Sequence, residues 1–395
     1  MADIAKTYKT LGGEWLFCLV IASVFIPVKI YPFVFFLACL VFYFDTPKLL
    51  RTYWVTFLCV FCGYATIVFF VDLPESSLEL INFLKIPIVF TYLYFAVGWL
   101  VNRDNNRLLC MVDITLHLVL ALTLIQLFVY HHAAGFQWIG GSPTSAKGNA
   151  LYRPSLYFWG LIDKNMFGAR IALLGFVYVL FPIARFQRVE WWRIVFVFLL
   201  AWLSLSRTPV VALLIGVFCL LWAGFNLRWR IVLAVVSVLA IPFLAQKILR
   251  IDTITSSSDG MGVRMVYWKA FVEYFTTISP LGNGFMSGRD FLVRYADFYH
   301  GEPHIHNTFM SCYLDFGVVG LLSYGLFLYY FYKFCLKFSL EKTFWWVTFV
   351  PLLAIMMILY SGYDNDIILY LVLIFLLGSS RIENVNEVKC RIAYE

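Results

Sequence analysis

Three of the chain's six histidines fall within His300-Gly-Glu-Pro-His304-Ile-His306. Asn307 follows, then nine residues, then Gly317-Val-Val-Gly320. The surrounding stretch also gathers Arg250, Arg264, Lys269, Arg289 and Arg294. An imidazole near its ordinary pKa takes up a proton at physiological pH. His306, at the head of a long apolar run, therefore reads as a candidate base facing a membrane surface. Two other readings stand beside it. His304 and His306 could ligate a metal with Glu302, although a structural zinc site needs four placed ligands and no Cys or Asp joins this run. The histidines could also be incidental residues of a wet loop.

The arginines suggest what such a base would face. Arg207, in Ser204-Leu-Ser-Arg207-Thr-Pro, lies between two apolar runs. A charge at full membrane depth costs about 2.5–3.5 kcal/mol on insertion scales and less near an interface, so Arg207 calls for an anionic partner or must snorkel to headgroups. With Arg264 it could clamp a pyrophosphate through charge-assisted bonds, each contributing about 1.5–3 kcal/mol. Asp315, inside an apolar run, is a functional candidate by position. Asp364-Asn-Asp366 has the DxD form used by sugar transferases to hold a divalent ion, and equally suits a polar turn. Gly317 and Gly320 read as small residues for close helix packing. Cys59-Val-Phe-Cys62 lies mid-run with no second pair and reads as inert packing. His117 reads as a packed or hydrogen-bonded residue, and His131 and His132 as span-end residues without a role.

What must position these groups is a membrane protein. The chain is 62% hydrophobic and 13% charged, against roughly 25% charged in soluble domains, so lipid is part of its solvent. The net charge of +7 is dispersed in twos and threes, which argues against nucleic acid as a partner. Apolar runs of membrane length predict about twelve transmembrane helices, near 11–27, 30–45, 53–72, 86–102, 108–130, 166–185, 192–206, 208–227, 230–249, 308–332, 344–362 and 366–380. The pair divided at Arg207-Thr-Pro209 reads as two spans or one broken helix. The expected architecture is all-α and polytopic, a single membrane domain over 1–395 with two larger loops at 131–165 and 250–307. Basic residues flank alternate connections, which puts both termini in the cytoplasm and both large loops outside. No cleavable signal peptide is expected. Within the second loop, Met265, Trp268, Phe271 and Tyr274 predict an amphipathic helix over 263–275, lying on the outer surface. The turn Ile278-Ser-Pro-Leu-Gly-Asn-Gly284 ends it.

These motifs resemble those of bacterial O-antigen ligases, members of the O-antigen ligase/polymerase superfamily of membrane glycosyltransferases. The likeness rests on His306-Asn307-(nine residues)-Gly317-x-x-Gly320, on Gly262-Val-Arg264-x-x-x-Trp268-x-Ala270 with Ser279-Pro-Leu-Gly282-x-Gly284, and on Ser206-Arg207-Thr208. It covers about 190–330. It implies a C-type glycosyltransferase-like enzyme of the bacterial inner membrane with a periplasmic active site. The implied reaction moves a glycan from undecaprenyl pyrophosphate to a sugar hydroxyl of lipid A–core, with inversion and without metal or cofactor. In that reading His306 is the base, Arg207 and Arg264 bind the pyrophosphate, and Asn307, Arg153, Arg289, His304 and Asp315 are secondary candidates. Trp138, Tyr157, Trp159, Trp268 and Tyr274 could stack on sugars. The compact tail favours a ligase. An O-antigen polymerase and a pilin O-oligosaccharyltransferase share the motifs and stay open. A polysaccharide transporter or flippase is the reading from another class. Against it, the chain has no detectable repeat of halves, and its polar groups lie to one side.

Overall fold

The structure, a computed structural model, describes residues 2–26, 30–45, 50–72, 77–101, 103, 105–133, 164–204, 206–244, 260–299, 301–302, 304–338, 342–359 and 362–379. Among them are fourteen α-helices and no strand. Twelve occupy the twelve apolar runs. They are α1 (Ala2–Ser23), α2 (Tyr31–Asp45), α3 (Tyr53–Asp72), α4 (Ser77–Val101), α5 (Asn106–Ala133), α6 (Lys164–Phe186), α7 (Trp191–Leu203), α8 (Arg207–Gly224), α9 (Leu227–Leu244), α12 (Thr308–Cys335), α13 (Lys342–Ile358) and α14 (Asn365–Ser379). The short α10 (Gly260–Glu273) and α11 (Gly288–Tyr295) lie in the long connection before α12. Five helices are long and apolar enough to cross a membrane, at Tyr53–Asp72, Glu79–Val101, Asn106–Val129, Asn165–Phe186 and Thr308–Cys335. Shorter apolar helices pack among them, as expected of a multi-pass membrane protein, where lipid leaves the backbone only helical bonds.

α6 is the central helix, with 89% of its apolar window buried. Gly175 of α6 faces Val197 of α7, while Gly168 and Phe176 of α6 meet Pro209 and Gly216 of α8. α7 thus runs antiparallel to α6 and α8 parallel to it. The chain reverses at 204–206, so the alternative of one broken helix at Arg207-Thr-Pro209 does not hold. Each half lies along α6 because each has its own apolar face to bury there.

Polar contacts sort the connections into two ends. At one end, Arg170 of α6 pairs with Asp366 of α14 (Nε–Oδ1 2.8 Å) and donates to the Val24 carbonyl beyond α1. Ser206, before α8, donates to Asn165 of α6 (2.9 Å), and His131 of α5 bonds the Leu203 carbonyl (2.7 Å). Asn307 and Thr308, at the start of α12, donate to the carbonyls of Met357 (3.2 Å) and Leu359 (2.9 Å) at the end of α13. At the opposite end, Arg103 and Arg107 pair with Glu14, Trp99 donates to Asp45 (2.8 Å), and Arg193 pairs with Asp113 and Glu190. His117 is hydrogen-bonded within the bundle, 2.6 Å from the Tyr178 hydroxyl. Most of the 131–165 loop, with Arg153, Trp138, Tyr157 and Trp159, lies outside the described residues, as do Arg250 and His300.

α12 is broken. Gly317 has φ 61° and ψ −157°, a conformation open essentially to glycine alone. The break is filled by the turn 279–284. Val318 N–H donates to the Pro280 carbonyl (2.9 Å), Asn283 N–H to Leu314 (2.8 Å) and Gly284 N–H to Asp315 (3.3 Å). A Cβ on Gly317 would collide with Pro280 and one on Gly282 with Asp315, while a Cβ on Gly320 would strike the Phe316 side chain. The expected helix–helix packing role of Gly317 and Gly320 is therefore corrected. Gly317 admits a loop into a helix, and Gly320 clears the side chain that the break swings over it.

We predict that Gly317→Ala destabilises the protein by at least about 2 kcal/mol, since it combines a forbidden backbone conformation with a collision. Gly325→Ala, in open space on the same helix, should be neutral or slightly stabilising. Thermal unfolding of the detergent-solubilised variants checks this, and equal melting temperatures would refute the role given to the break.

Candidate active site

The segment 260–307 builds a cap with its own core. Val263, Tyr267, Ala270 and Phe271 of α10 pack with Ile278, Phe291, Leu292 and Ile305 onto Tyr313 and Leu314 of α12. This buried stripe, at i, i+4, i+7 and i+8, is not the expected one. Met265 and Tyr274 are exposed, Trp268 is half-buried, and only Phe271 belongs to both. α10 carries two apolar stripes. The one holding Tyr267 faces the other apolar residues of the cap, so the helix is folded into a core instead of lying free on a surface.

Burying that stripe also buries Arg264. Arg264 and Tyr267, three residues apart, share a helix face. Tyr267 is fully buried, and its hydroxyl donates to Glu302 Oε2 at 2.6 Å. Its ring lies parallel to the His306 imidazole, with centroids 6.3 Å apart. The His304 ring meets His306 edge-on at 4.8 Å. Arg264, Tyr267, Glu302, His304 and His306 thus form one cluster between α10 and the start of α12.

His306 itself is buried and has φ 60°, an uncommon conformation for a side-chain-bearing residue and one that points to an imposed geometry. Its Nδ1 meets no hydrogen-bond partner among the described residues. Burial, then the Arg264 guanidinium, lowers the His304 pKa to about 4. Burial, His304 and Arg264 hold His306 lower still. Both imidazoles are therefore neutral at physiological pH, with the nitrogen lone pair available but weakly basic in this state.

The neighbouring Asn307 is a fixing residue. Its Oδ1 accepts from the N–H groups of Phe309 (3.0 Å) and Met310 (3.1 Å), capping α12, while its Nδ2 ties that end to α13. The His306-Asn307 pair thus joins a reactive side chain to the residue that fixes where its helix begins.

The other candidates lie in other parts of the structure. Arg207 is the first residue of α8, half-buried, at the same end of the bundle. Asp315 is buried beside the break, with the Ser287 hydroxyl 3.5 Å from Oδ1. Arg289 is exposed on α11, close enough to Tyr299 to act on its ionisation. Among the described residues no group of three or more His, Cys, Asp or Glu is placed to hold a metal ion. The sequence reading missed Tyr267 and took Glu302 only as a possible metal ligand, not as the acceptor of a bond that spans thirty-five residues. It also missed Arg170, which the rule that flagged Asp315, an ionisable residue within a membrane run, would have found.

Comparison with known families matches residues 192–325 to the model described as O-Antigen ligase. The match runs from α7 through the break in α12 and contains Arg207, Arg264, His304, His306, Asn307 and Asp315. A search of curated proteins finds no match.

We predict that Tyr267→Phe, which keeps the ring and removes the clasp to Glu302, lowers stability by about 1–3 kcal/mol and loosens the 301–306 segment. His306 should then be modified faster by diethylpyrocarbonate, read by peptide mass spectrometry. An unchanged rate would mean that the Tyr267–Glu302 bond does not hold the histidine segment.

Proposed function

We propose, on the match of residues 192–325 to the O-Antigen ligase family, that the protein is an O-antigen ligase. It transfers a glycan from undecaprenyl pyrophosphate to a sugar hydroxyl of lipid A–core, at the periplasmic face of a bacterial inner membrane. One observation carries this reading: the neutral, buried His306 imidazole sits in one cluster with the buried Arg264, at the head of a membrane helix within the matched segment.

In the proposed step the acceptor hydroxyl oxygen attacks the anomeric carbon. The bond from that carbon to the pyrophosphate oxygen breaks, and the electron pair leaves with undecaprenyl pyrophosphate. The hydroxyl proton passes to His306. Arg264 and Arg207 offset the negative charge that develops on the leaving group. An arginine at the first position of α8 opposes the helix dipole, so it does not serve the helix. Together with the first N–H groups of α8 it suits an anion. His304, Asn307 and Asp315 orient the base and its helix. Arg153 and Arg289 are proposed to contact glycan or phosphate.

Arg264 then has two effects. In the free protein, burial and its charge hold the His306 pKa down. A bound pyrophosphate offsets the guanidinium charge and relieves that part of the depression, while the larger part, due to burial, stays, so that donor binding strengthens the base.

The test is a lipopolysaccharide gel from a strain lacking the gene, complemented with the wild type or with His306→Ala. Core-only molecules with lipid-linked glycan accumulating, in both the deletion and the His306→Ala strain, are expected. Core bearing a single repeat would mean a polymerase. An unchanged ladder would move the reading to protein glycosylation or another polymer, and full activity of His306→Ala would remove the base assignment.

We also predict a split in pH dependence. The acid limb of kcat/KM, which reports the free enzyme, should lie well below pH 6. The limb of kcat, which reports the donor complex, should lie higher. Arg264→Gln should move the kcat/KM limb upward by removing a charge that disfavours the imidazolium. Coincident limbs would contradict donor-strengthened basicity.

A further inference from the structure

The turn 279–284 enters the break in α12 at a definite depth. Gly317 lies nine residues below the start of α12, about 14 Å of helix rise. On the other flank the Tyr64 hydroxyl of α3 donates to the Leu281 carbonyl at 2.7 Å. Tyr64 lies two turns, about 12 Å of rise, before the end of α3 at Asp72. Both flanking helices are among those long and apolar enough to cross a membrane. The 20 residues of α3 span about 30 Å, the thickness of a hydrocarbon core. A turn bonded two turns below the end of such a helix is below the membrane surface.

Irregular backbone is tolerated at that depth only where its polar groups are satisfied by protein. Five of the turn's backbone groups are satisfied in this way: Pro280 C=O, Leu281 C=O, Gly282 N–H, Asn283 N–H and Gly284 N–H have partners in α12, in Tyr64 or within the turn. The Leu281 side chain, by contrast, is 66% exposed. Its surroundings are apolar and exposed as well. Val60, Ile67 and Val71 share the face of α3 that carries Tyr64, and Val318 and Leu322 follow the break on α12. Phe275, just before the turn, is exposed too and stacks on Tyr313 of α12 at 4.9 Å. The apolar face of the two spans thus reaches the turn at Leu281 and Phe275, and the exposed Thr277 and Asn283 of the same segment bond within it, to the Tyr274 carbonyl and the Ser279 N–H.

We propose that 275–284 is a re-entrant element that docks the cap into the membrane leaflet, with Leu281 and Phe275 in contact with lipid acyl chains. The partner is the hydrocarbon of the leaflet, not a protein. The exposed stripe continues one that lipid already covers on α3 and α12, and a water-facing turn would not need its carbonyls satisfied. The cap is then anchored at two points, by α12 and by its own insertion. Its depth fixes where Arg264 and His306 stand relative to the headgroups. This inference needs only the membrane reading of α3 and α12 and is independent of the reaction proposed above.

The wild-type protein in phosphatidylcholine vesicles, doped with a phospholipid bearing a diazirine midway along an acyl chain, provides the test. After photolysis, peptides covering 275–284 should carry label at a density comparable with the 60–71 face of α3. The charged α11 peptide with Arg289 and Arg294 should carry little. Label on 60–71 with none on 275–284 would overturn the proposal. No label on either would overturn it together with the membrane face of α3. Transferase activity is not read, so the outcome does not depend on the substrate.

Discussion

Three backbone hydrogen bonds, from Val318, Asn283 and Gly284 to Pro280, Leu314 and Asp315, hold the cap to the bundle. A helix broken inside a membrane leaves carbonyls and N–H groups that lipid cannot satisfy, and an irregular turn at the same depth has the same deficit. Each supplies the other's partners, so the break at Gly317 and the turn 279–284 are stable only as a pair. The first part of α12 therefore belongs mechanically to the cap. Tyr313 and Leu314 complete the core of the cap, while Phe316, Tyr324 and Phe327 lie in the core of the bundle. His306 stands at the head of this shared segment. Its position is set from three directions: by Asn307 tied to α13, by the cap packed on Tyr313, and by the break below.

That arrangement explains how the cluster can be electrostatically unfavourable for protons and still be stable. Burying Arg264 beside two imidazoles disfavours a second positive charge, and both histidines stay neutral. A folded-state pKa below the unfolded value gives stability that is complete above about pH 6.5 and is lost as pH falls toward 4. The Tyr267–Glu302 bond fixes the carboxylate of this cluster on the tyrosine hydroxyl. The cluster thus sets a buried guanidinium beside two neutral imidazoles.

The helical architecture was legible because the apolar runs are long and carry no competing period. The histidine and arginine motifs were legible because ionisable residues are rare in such a chain. Three features were not. The buried face of α10 could not be chosen, because Met265 and Tyr267 both lie on apolar stripes and only the fold decides which meets a core. Gly317 and Gly320 have the spacing of a helix-packing pair, and the partner that gives Gly317 its positive φ lies in another segment. The bond between Arg170 and Asp366 joins residues 196 apart, and no local pattern announces it.

That last pair decides how Asp364-Asn-Asp366 should be understood. Holding a divalent ion by two carboxylates needs both ionised and both turned to one point. Asp366 has Oδ1 committed to the Arg170 guanidinium and to the Asn365 amide (3.0 Å). Burial and the charge of Asp366 push Asp364 up to about 7, against the pull of Lys85 and Arg170. One carboxylate is thus bonded to a guanidinium, while the other is buried beside it. Breaking a buried ion pair by removing one partner costs about 3–5 kcal/mol, so Asp366 serves the joint between α6, α14 and the end of α1. The motif looks like a metal clamp in one dimension. In three it is a staple, fixing the end of the bundle on which the α12 cap contacts depend.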